Sequence, residues 1–246
     1  MARGDTGASG NWYNGLDEAQ EMAFVGHCIR PGDCFIDVGA NVGSYSVLAA
    51  ARGAKVVAIE PAPTTYKKLL RNIDYNSYSS LVTALNVAVA EAPQTLRLTS
   101  DLGSTNHIVD DPARENGEFA TLSILADTLD NIASGTSPTI MKIDIEGYEL
   151  KALKGGSSII RKDSLLAIIV ETADFGNRYG DKRDELFAFL SRNGFSPFYY
   201  NPFTRALEES GRGTSPGNNT IFVRDRLAVQ ARCTSARPIS LLNGQL

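Results

Sequence analysis

The sequence predicts an α/β fold in which a mainly parallel sheet is covered by helices on both faces. Short apolar runs alternate with segments of helical periodicity over most of the 246 residues. The apolar runs are almost uninterrupted, as is typical of strands that are buried on both faces of a parallel sheet. In such folds ligands bind beyond the carboxyl ends of the strands, so the residues that follow each strand are the first candidates for a functional site.

The predicted elements follow one another in a regular order. Helices are expected at 16–29, 44–52, 63–75, 129–133, 149–161 and 182–193. Strands are expected at 34–38, 55–59, 81–89, 139–143, 165–170, 195–200 and 220–223, with extra strand pieces at 95–98 and 119–125. The Gly- and Pro-rich stretch 201–219 is expected to be a loop.

The chain has the length of one α/β domain of ordinary size. We expect an N-terminal arm and helix over residues 1–30, and the main domain over 31–224 with an insert near 95–125. The polar part of this insert is 101–117. A tail of weak periodicity follows at 225–246.

Composition argues against several classes of protein. The 24 Lys and Arg residues are interspersed with 28 Asp and Glu residues, so the net charge is -4 and a nucleic-acid partner is not expected. The longest apolar run, 165–170, is too short to span a membrane, and the N-terminus lacks the apolar segment of a secretory signal. Three cysteines without CxxC spacing and two histidines indicate a cytoplasmic protein without a disulfide framework or a multi-His metal site.

The stretch CFIDVGANVGSYSVLAA, residues 34–50, contains a glycine turn after the first predicted strand. It does not match the dinucleotide fingerprint G-x-G-x-x-G, because Asn41 and Ser44 stand where the second and third glycines should be. Asp37 also ends the strand beside the turn, where its carboxylate would repel a pyrophosphate. The turn therefore favours a cationic ligand.

S-adenosylmethionine is such a ligand, since it carries an ammonium and a sulfonium and no phosphate. Glu60 ends the second predicted strand, about 20 residues past the turn, where ribose-binding acids lie in nucleotide-binding folds. Its carboxylate can accept hydrogen bonds from both ribose hydroxyls. The alternative is a tight turn that binds nothing, with Glu60 merely solvated.

The stretch MKIDIEGYE, residues 141–149, contains a second group of ionisable side chains. Lys142, Asp144 and Glu146 alternate and would share one face of an extended chain. Charged groups near a buried strand are costly unless they are paired or used. The alternatives are a Lys142 ion pair and capping of the next helix by Asp144 or Glu146. Glu171, at the end of the fifth strand, is a further carboxylate on this rim or a solvated strand end.

The blocks FIDVGANVGSYSVLAA, AIEPAP, LNVAVA, TLDNI and MKIDIEGYELKALKGG together resemble the FkbM family of S-adenosylmethionine-dependent methyltransferases. The resemblance extends from about Gly4 to Val223. It implies a class I methyltransferase (Rossmann-like) fold with a seven-stranded sheet in the order 3-2-1-4-5-7-6, whose last strand is antiparallel. It also implies O-methylation, commonly of sugar or polyketide hydroxyls.

The resemblance further implies a role for several residues. The methionine half of the cofactor would be framed by Asp37, Gly39, Asn41 and Gly43. Glu60 would bind the ribose, and Asn86 would lie near the adenine. Asn219 matches an asparagine that the family often has before its last strand, and it could equally be a turn residue.

A hydroxyl acceptor needs a general base at neutral pH, and Asp144 is our candidate. The alternative catalytic residues are Lys142, Glu146, Glu171 and His107, of which His107 lies in the insert and could instead be solvated. Two or three carboxylates on one rim could also hold Mg²⁺, although a metal is not expected.

The expected acceptor is a small molecule or a glycan. Two other functions stay open: a methyltransferase acting on nitrogen or on a small aromatic compound, and a non-catalytic cofactor-binding domain. Loss of the carboxylates at the strand ends would favour a non-catalytic domain, and these carboxylates are all present.

Overall fold

The computed structural model describes residues 16, 18–100, 102, 106–109, 120–172, 183–210, 219–241 and 244–245. The helices are α1 (Ala19–Cys28), α2 (Ser44–Ala51), α3 (Pro63–Tyr75), α4 (Leu129–Ile132), α5 (Glu149–Lys154), α6 (Ser157–Ile160), α7 (Arg183–Arg192) and α8 (Arg226–Thr234). The strands are β1 (Cys34–Val38), β2 (Lys55–Ile59), β3 (Val82–Leu85), β4 (Ala88–Ala90), β5 (Gln94–Thr99), β6 (Thr121–Thr128), β7 (Ile140–Ile143), β8 (Ala167–Glu171), β9 (Ser196–Asn201), β10 (Ala206–Glu209), β11 (Asn219–Val223), β12 (Ser240–Leu241) and β13 (Gly244–Gln245).

Eight strands form the large sheet, in the order β10-β9-β11-β8-β7-β1-β2-β3. Strand β1 lies between β2 and β7 and is parallel to both. Strand β11 is antiparallel to β8 and β9, and β10 is antiparallel to β9. The predicted number of seven strands is therefore wrong, because β10 adds an eighth strand at the edge beyond β9; the other strands lie in the order β3-β2-β1-β7-β8-β11-β9.

The eighth strand arises within the stretch that was predicted to be a loop. The side-chain oxygen of Asn201 accepts hydrogen bonds from the backbone N–H groups of Phe203 and Thr204, which turns the chain back after β9. The returning segment ALEE has one buried apolar residue, Leu207. So short and polar a segment has no alternating pattern that sequence analysis could detect.

The predicted third strand, 81–89, is two strands in different sheets. Strand β3 is an edge strand of the large sheet, whereas β4 pairs with β6 in a small sheet of order β4-β6-β5. Between them, the side-chain amide of Asn86 donates to the backbone oxygens of Glu60 and Pro61, at 2.8 and 2.9 Å. These bonds hold the chain where it leaves the large sheet.

Glycines divide the predicted helix 149–161 into α5 and α6. A Cβ at Gly155 would lie 2.1 Å from the backbone oxygen of Ala90 in β4, so only glycine permits this approach of α5 to the small sheet. The prediction of helix 63–75 is confirmed by α3. Predicted strand 119–125 corresponds to β6, whereas Phe119 and Lys182, at the starts of two predicted elements, lie outside the described residues.

The large sheet separates two apolar cores. Successive residues of β1 belong to different cores, with Phe35 in one and Ile36 in the other. Helices α1, α2 and α8 contribute to the first core, and α5, α6 and α7 to the second.

Helix α8 lies within 225–246, the segment whose sequence shows only weak periodicity. It packs against α1 and buries Val229 and Cys233, and the Asp225 side chain caps its first turn. In the described part of the chain, no helix has the length and apolar character needed to cross a membrane.

Candidate active site

A cavity of about 250 Å³ opens beyond the carboxyl ends of β1, β2 and β7. Among the predicted cofactor-binding residues, it is lined by Asp37, Gly39, Asn41 and Glu60. Among the predicted catalytic residues, it is lined by His107, Lys142, Asp144, Glu146 and Glu171. The fold therefore brings the two sequence motifs to one cavity.

The glycine turn lines this cavity, and three of its residues have left-handed backbone conformations. Gly39, Asn41 and Gly43 all have positive φ, at 79°, 50° and 93°. A Cβ at Gly39 would lie 1.9 Å from the backbone oxygen of Asp144, so the turn touches the loop that carries the second motif. Gly43 precedes α2 and is not among the lining residues; a Cβ there would lie 2.6 Å from Leu69 Cδ1.

Asp37 is buried in the cavity wall. Its carboxylate accepts a hydrogen bond of 2.6 Å from the Ser46 hydroxyl, and in the sheet it lies opposite Lys142. Burial raises the pKa of Asp37 to about 6, against the attraction of Lys142 and the Ser46 bond. At neutral pH the carboxyl is thus mostly ionised.

Glu60 is tied to the backbone by both carboxylate oxygens. One accepts from the N–H of Asn41 and the other from the N–H of Ala62, each at 2.9 Å. Burial is the main reason why the pKa of Glu60 is raised to about 7. Asn86, which was predicted to lie near the adenine, is directed to backbone oxygens at 60 and 61 and is not among the lining residues.

Lys142 and Asp144 form a buried ion pair, with 2.6 Å between Nζ and Oδ2. The ammonium also lies over the ring of Tyr45, 4.7 Å from its centroid. Burial alone would lower the pKa of Lys142, but the charges of Asp144 and Glu18 outweigh it and raise that pKa. Burial alone would raise the pKa of Asp144, but the Lys142 ammonium holds it below its usual range.

Glu171 and Glu146 complete an acidic group around Asp144. One carboxylate oxygen of each of the three residues lies within 4.8 Å of the others. Burial, followed by the charge of Asp144 and a hydrogen bond with it, raises the pKa of Glu171 to about 9. Of the two carboxyl groups, Glu171 is therefore the one that takes up a proton more readily, and Asp144 is the one that favours the ionised form. The three oxygens could surround a divalent cation, but Lys142 already places a positive charge beside them.

Three features of the site were missed or left open by sequence analysis. His107 is buried in the cavity wall, where its backbone pairs with Thr99. Glu149 is buried and accepts from the N–H groups of Ile145 and Gly147, which shapes the loop that carries Glu146. Glu18 also lines the cavity, and no motif around it could have indicated this.

A comparison with known families decides the relationship. Residues 37–197, more than half of the chain, match the Methyltransferase FkbM domain. The chain belongs to the FkbM methyltransferase family. The resemblance inferred from the sequence motifs is thereby confirmed. The matched domain includes the cavity residues of both motifs, among them Asp37, Glu60 and Asp144.

Curated relatives of this FkbM chain are methyltransferases. The hexuronic acid methyltransferase AglP of Haloferax volcanii is 26% identical over 156 residues, which cover 63% of this chain and 58% of AglP. Methyltransferase sdnD of Sordaria araneosa is 30% identical over 169 residues, covering 54% of this chain and 65% of sdnD. The chain therefore spans less than two thirds of the length of either relative.

A solved structure supports the fold of the FkbM chain. The crystal structure of methyltransferase FkbM from Methylobacillus flagellatus has a TM-score of 0.51 at 17% identity, over 78% of this chain and 43% of that chain. The chain thus has the Rossmann-like α/β fold of class I methyltransferases, with an eighth strand in its large sheet.

Proposed function

We propose that the chain transfers a methyl group from S-adenosylmethionine to a hydroxyl of a sugar or glycan-type acceptor. The observation that carries the proposal is the shared cavity. It joins the carboxylates of Asp37 and Glu60 to the Lys142–Asp144 pair, and the Gly39 turn touches the Asp144 backbone. A cofactor held at the first pair would therefore lie next to a candidate base.

The chemistry of the lining residues fits S-adenosylmethionine. Of the cavity-lining residues that the structure describes, Lys142 alone is a lysine or arginine, and it is paired with Asp144. The cavity thus favours a cationic cofactor over a pyrophosphate. Each oxygen of Glu60 accepts one backbone N–H and keeps a lone pair that a ribose hydroxyl can use.

We call the part of the cavity around Lys142, Asp144, Glu146 and Glu171 its acceptor end. Its residues have different proposed roles in the reaction. Bound S-adenosylmethionine supplies an activated methyl group. Asp144 accepts the proton of the acceptor hydroxyl, because the Lys142 ammonium keeps it ionised. Glu171 lies beside Asp144 and has a raised pKa, so we assign it the role of a hydrogen-bond donor that orients the Asp144 carboxylate. The close approach of Gly39 to the Asp144 backbone would hold the cofactor turn beside the proposed base, and alignment of reacting groups is the main contribution an enzyme makes to a displacement.

The choice of a sugar acceptor has separate support. AglP is named as acting on a hexuronic acid, and the acceptor end of this cavity is polar. The reacting group is proposed to be a neutral hydroxyl, because Glu146 and Asp144 would repel an acceptor carboxylate at this end.

Isothermal titration calorimetry tests the cofactor assignment without knowledge of the acceptor. We expect binding of S-adenosylmethionine and of its demethylated product at micromolar level, and no binding of a nicotinamide dinucleotide. Heat with the dinucleotide alone would refute the proposal.

A further inference from the structure

The carboxylate of Glu18 connects three distant parts of the chain at the cavity wall. One oxygen accepts a hydrogen bond of 3.0 Å from the side-chain amide of Asn219 in β11, and the other accepts from the hydroxyl of Tyr45 in α2. Glu18 itself immediately precedes α1. Neither Glu18 nor Asn219 lies in the matched domain, 37–197. The connection therefore joins the cavity wall to residues on both sides of the matched domain.

Tyr45 links this carboxylate to the proposed base. Its buried ring faces the Lys142 ammonium at 4.7 Å, and that ammonium contacts Asp144 Oδ2 at 2.6 Å. The ammonium thus has an anionic partner on one side and an aromatic face on another, an arrangement that is strongest when desolvated. Because the hydroxyl of Tyr45 is bonded to Glu18, the ring cannot turn away without breaking that bond.

We propose that Glu18 is a positioning residue for methyl transfer, which holds the Tyr45 ring and thereby the Lys142 ammonium where it fixes the Asp144 carboxylate. The inference rests on the proposed function, since it takes Asp144 as the base. A residue that only fastened α1 to the domain would have the same two hydrogen bonds, so the test must separate positioning from anchoring.

Glu18→Gln and Tyr45→Phe are the informative variants. In glutamine only one of the two positions bears an oxygen, so at most one of the bonds from Tyr45 and Asn219 can be accepted as in the parent, and the negative charge is lost. Tyr45→Phe keeps the ring and removes only its bond to Glu18, so it tests the same link if the Gln variant does not fold. The control is Tyr200→Phe, which removes the 2.7 Å bond between the Tyr200 hydroxyl and His27 of α1 without touching the cavity.

The first readout needs no acceptor. In protein labelled with ¹⁵N-lysine, the Lys142 ammonium protons should be shifted upfield by the Tyr45 ring, and Lys142→Met assigns their signal. We expect this shift to shrink in the Gln and Phe variants and to stay in the Tyr200→Phe control. An unchanged shift in both test variants would overturn the inference.

The second readout is turnover with an acceptor found by screening. We expect kcat to fall roughly 10- to 100-fold in Glu18→Gln, as misplaced catalytic groups do, with cofactor affinity unchanged. The double variant with Tyr45→Phe should be no slower than Glu18→Gln alone, because both remove one link. Multiplied effects, a parent-like kcat, or a raised acceptor KM at constant kcat would each overturn the inference. If Asp144→Asn keeps full turnover, the proposed base is wrong, and this result is separate from the others.

Discussion

Replacing Gly39 by alanine should disrupt the contact between the cofactor turn and the loop of the proposed base. Gly39 has φ +79°, and a left-handed conformation costs a non-glycine residue about 1–2 kcal/mol. The new Cβ would also lie 1.9 Å from the Asp144 backbone oxygen, and relieving such overlap in a packed region costs about 1–3 kcal/mol. We therefore expect a loss of about 2–5 kcal/mol in the free energy of unfolding.

Gly135→Ala is a matched control, since Gly135 has φ +76° and a Cβ there meets nothing within 4 Å. Urea denaturation should show only the conformational cost, about 1–2 kcal/mol, in this control. Calorimetry should show weakened binding of S-adenosylmethionine to Gly39→Ala and unaltered binding to the control. Equal stability of the two variants, with parent-like binding, would refute the reasoning from the Gly39 contact.

Two further predictions concern buried carboxylates. Glu60→Ala should weaken binding of S-adenosylmethionine by about 1–3 kcal/mol, the cost of losing a buried hydrogen-bonding partner, and should leave kcat at saturating cofactor nearly unchanged; an unaltered cofactor KM would contradict the ribose assignment. Burial raises the pKa of Glu149 to about 7 from an ordinary 4.5. Between these two pH values the folded protein keeps a proton on Glu149 that the unfolded chain has released, so the free energy of unfolding falls as the pH rises, and this contribution to stability is lost as the pH passes through 7. Glu149→Gln should flatten the fall in unfolding free energy between pH 5 and 8 by at most about 3 kcal/mol, and an unchanged slope would show that Glu149 is not the source.

The parts of the fold that sequence predicted are those with a strong local signal. The buried strands β1 and β2 are short, nearly continuous apolar runs, and the helix α3 has apolar residues at helical spacing. The parts that it missed depend on distant partners. The break between β3 and β4 depends on bonds from Asn86 to the end of β2, and the break after α5 on the approach of Gly155 to β4.

In the candidate site, too, sequence analysis found the compact local motifs and missed residues whose partners are distant in the chain. The glycine turn and the Lys142 motif were recognisable because each is a compact local pattern, and the parallel sheet brings their strands side by side. Glu18 was missed because its partners, Tyr45 and Asn219, are 27 and 201 residues away. His107 was left open between a catalytic and a solvated residue, because it is the pairing of 107–109 with β5 that brings it to the cavity wall.

Methyl transfer from S-[methyl-²H₃]-adenosylmethionine to a panel of glycans and hydroxylated lipids tests the central claim most directly. The parent protein should add one trideuteriomethyl group to a hydroxyl oxygen of a sugar-containing acceptor, as read by mass spectrometry. Asp144→Asn should bind the cofactor as the parent does and transfer roughly 10²- to 10⁴-fold more slowly, the usual share of general base catalysis. Transfer to nitrogen or carbon alone, or parent-like transfer by Asp144→Asn, would contradict the account.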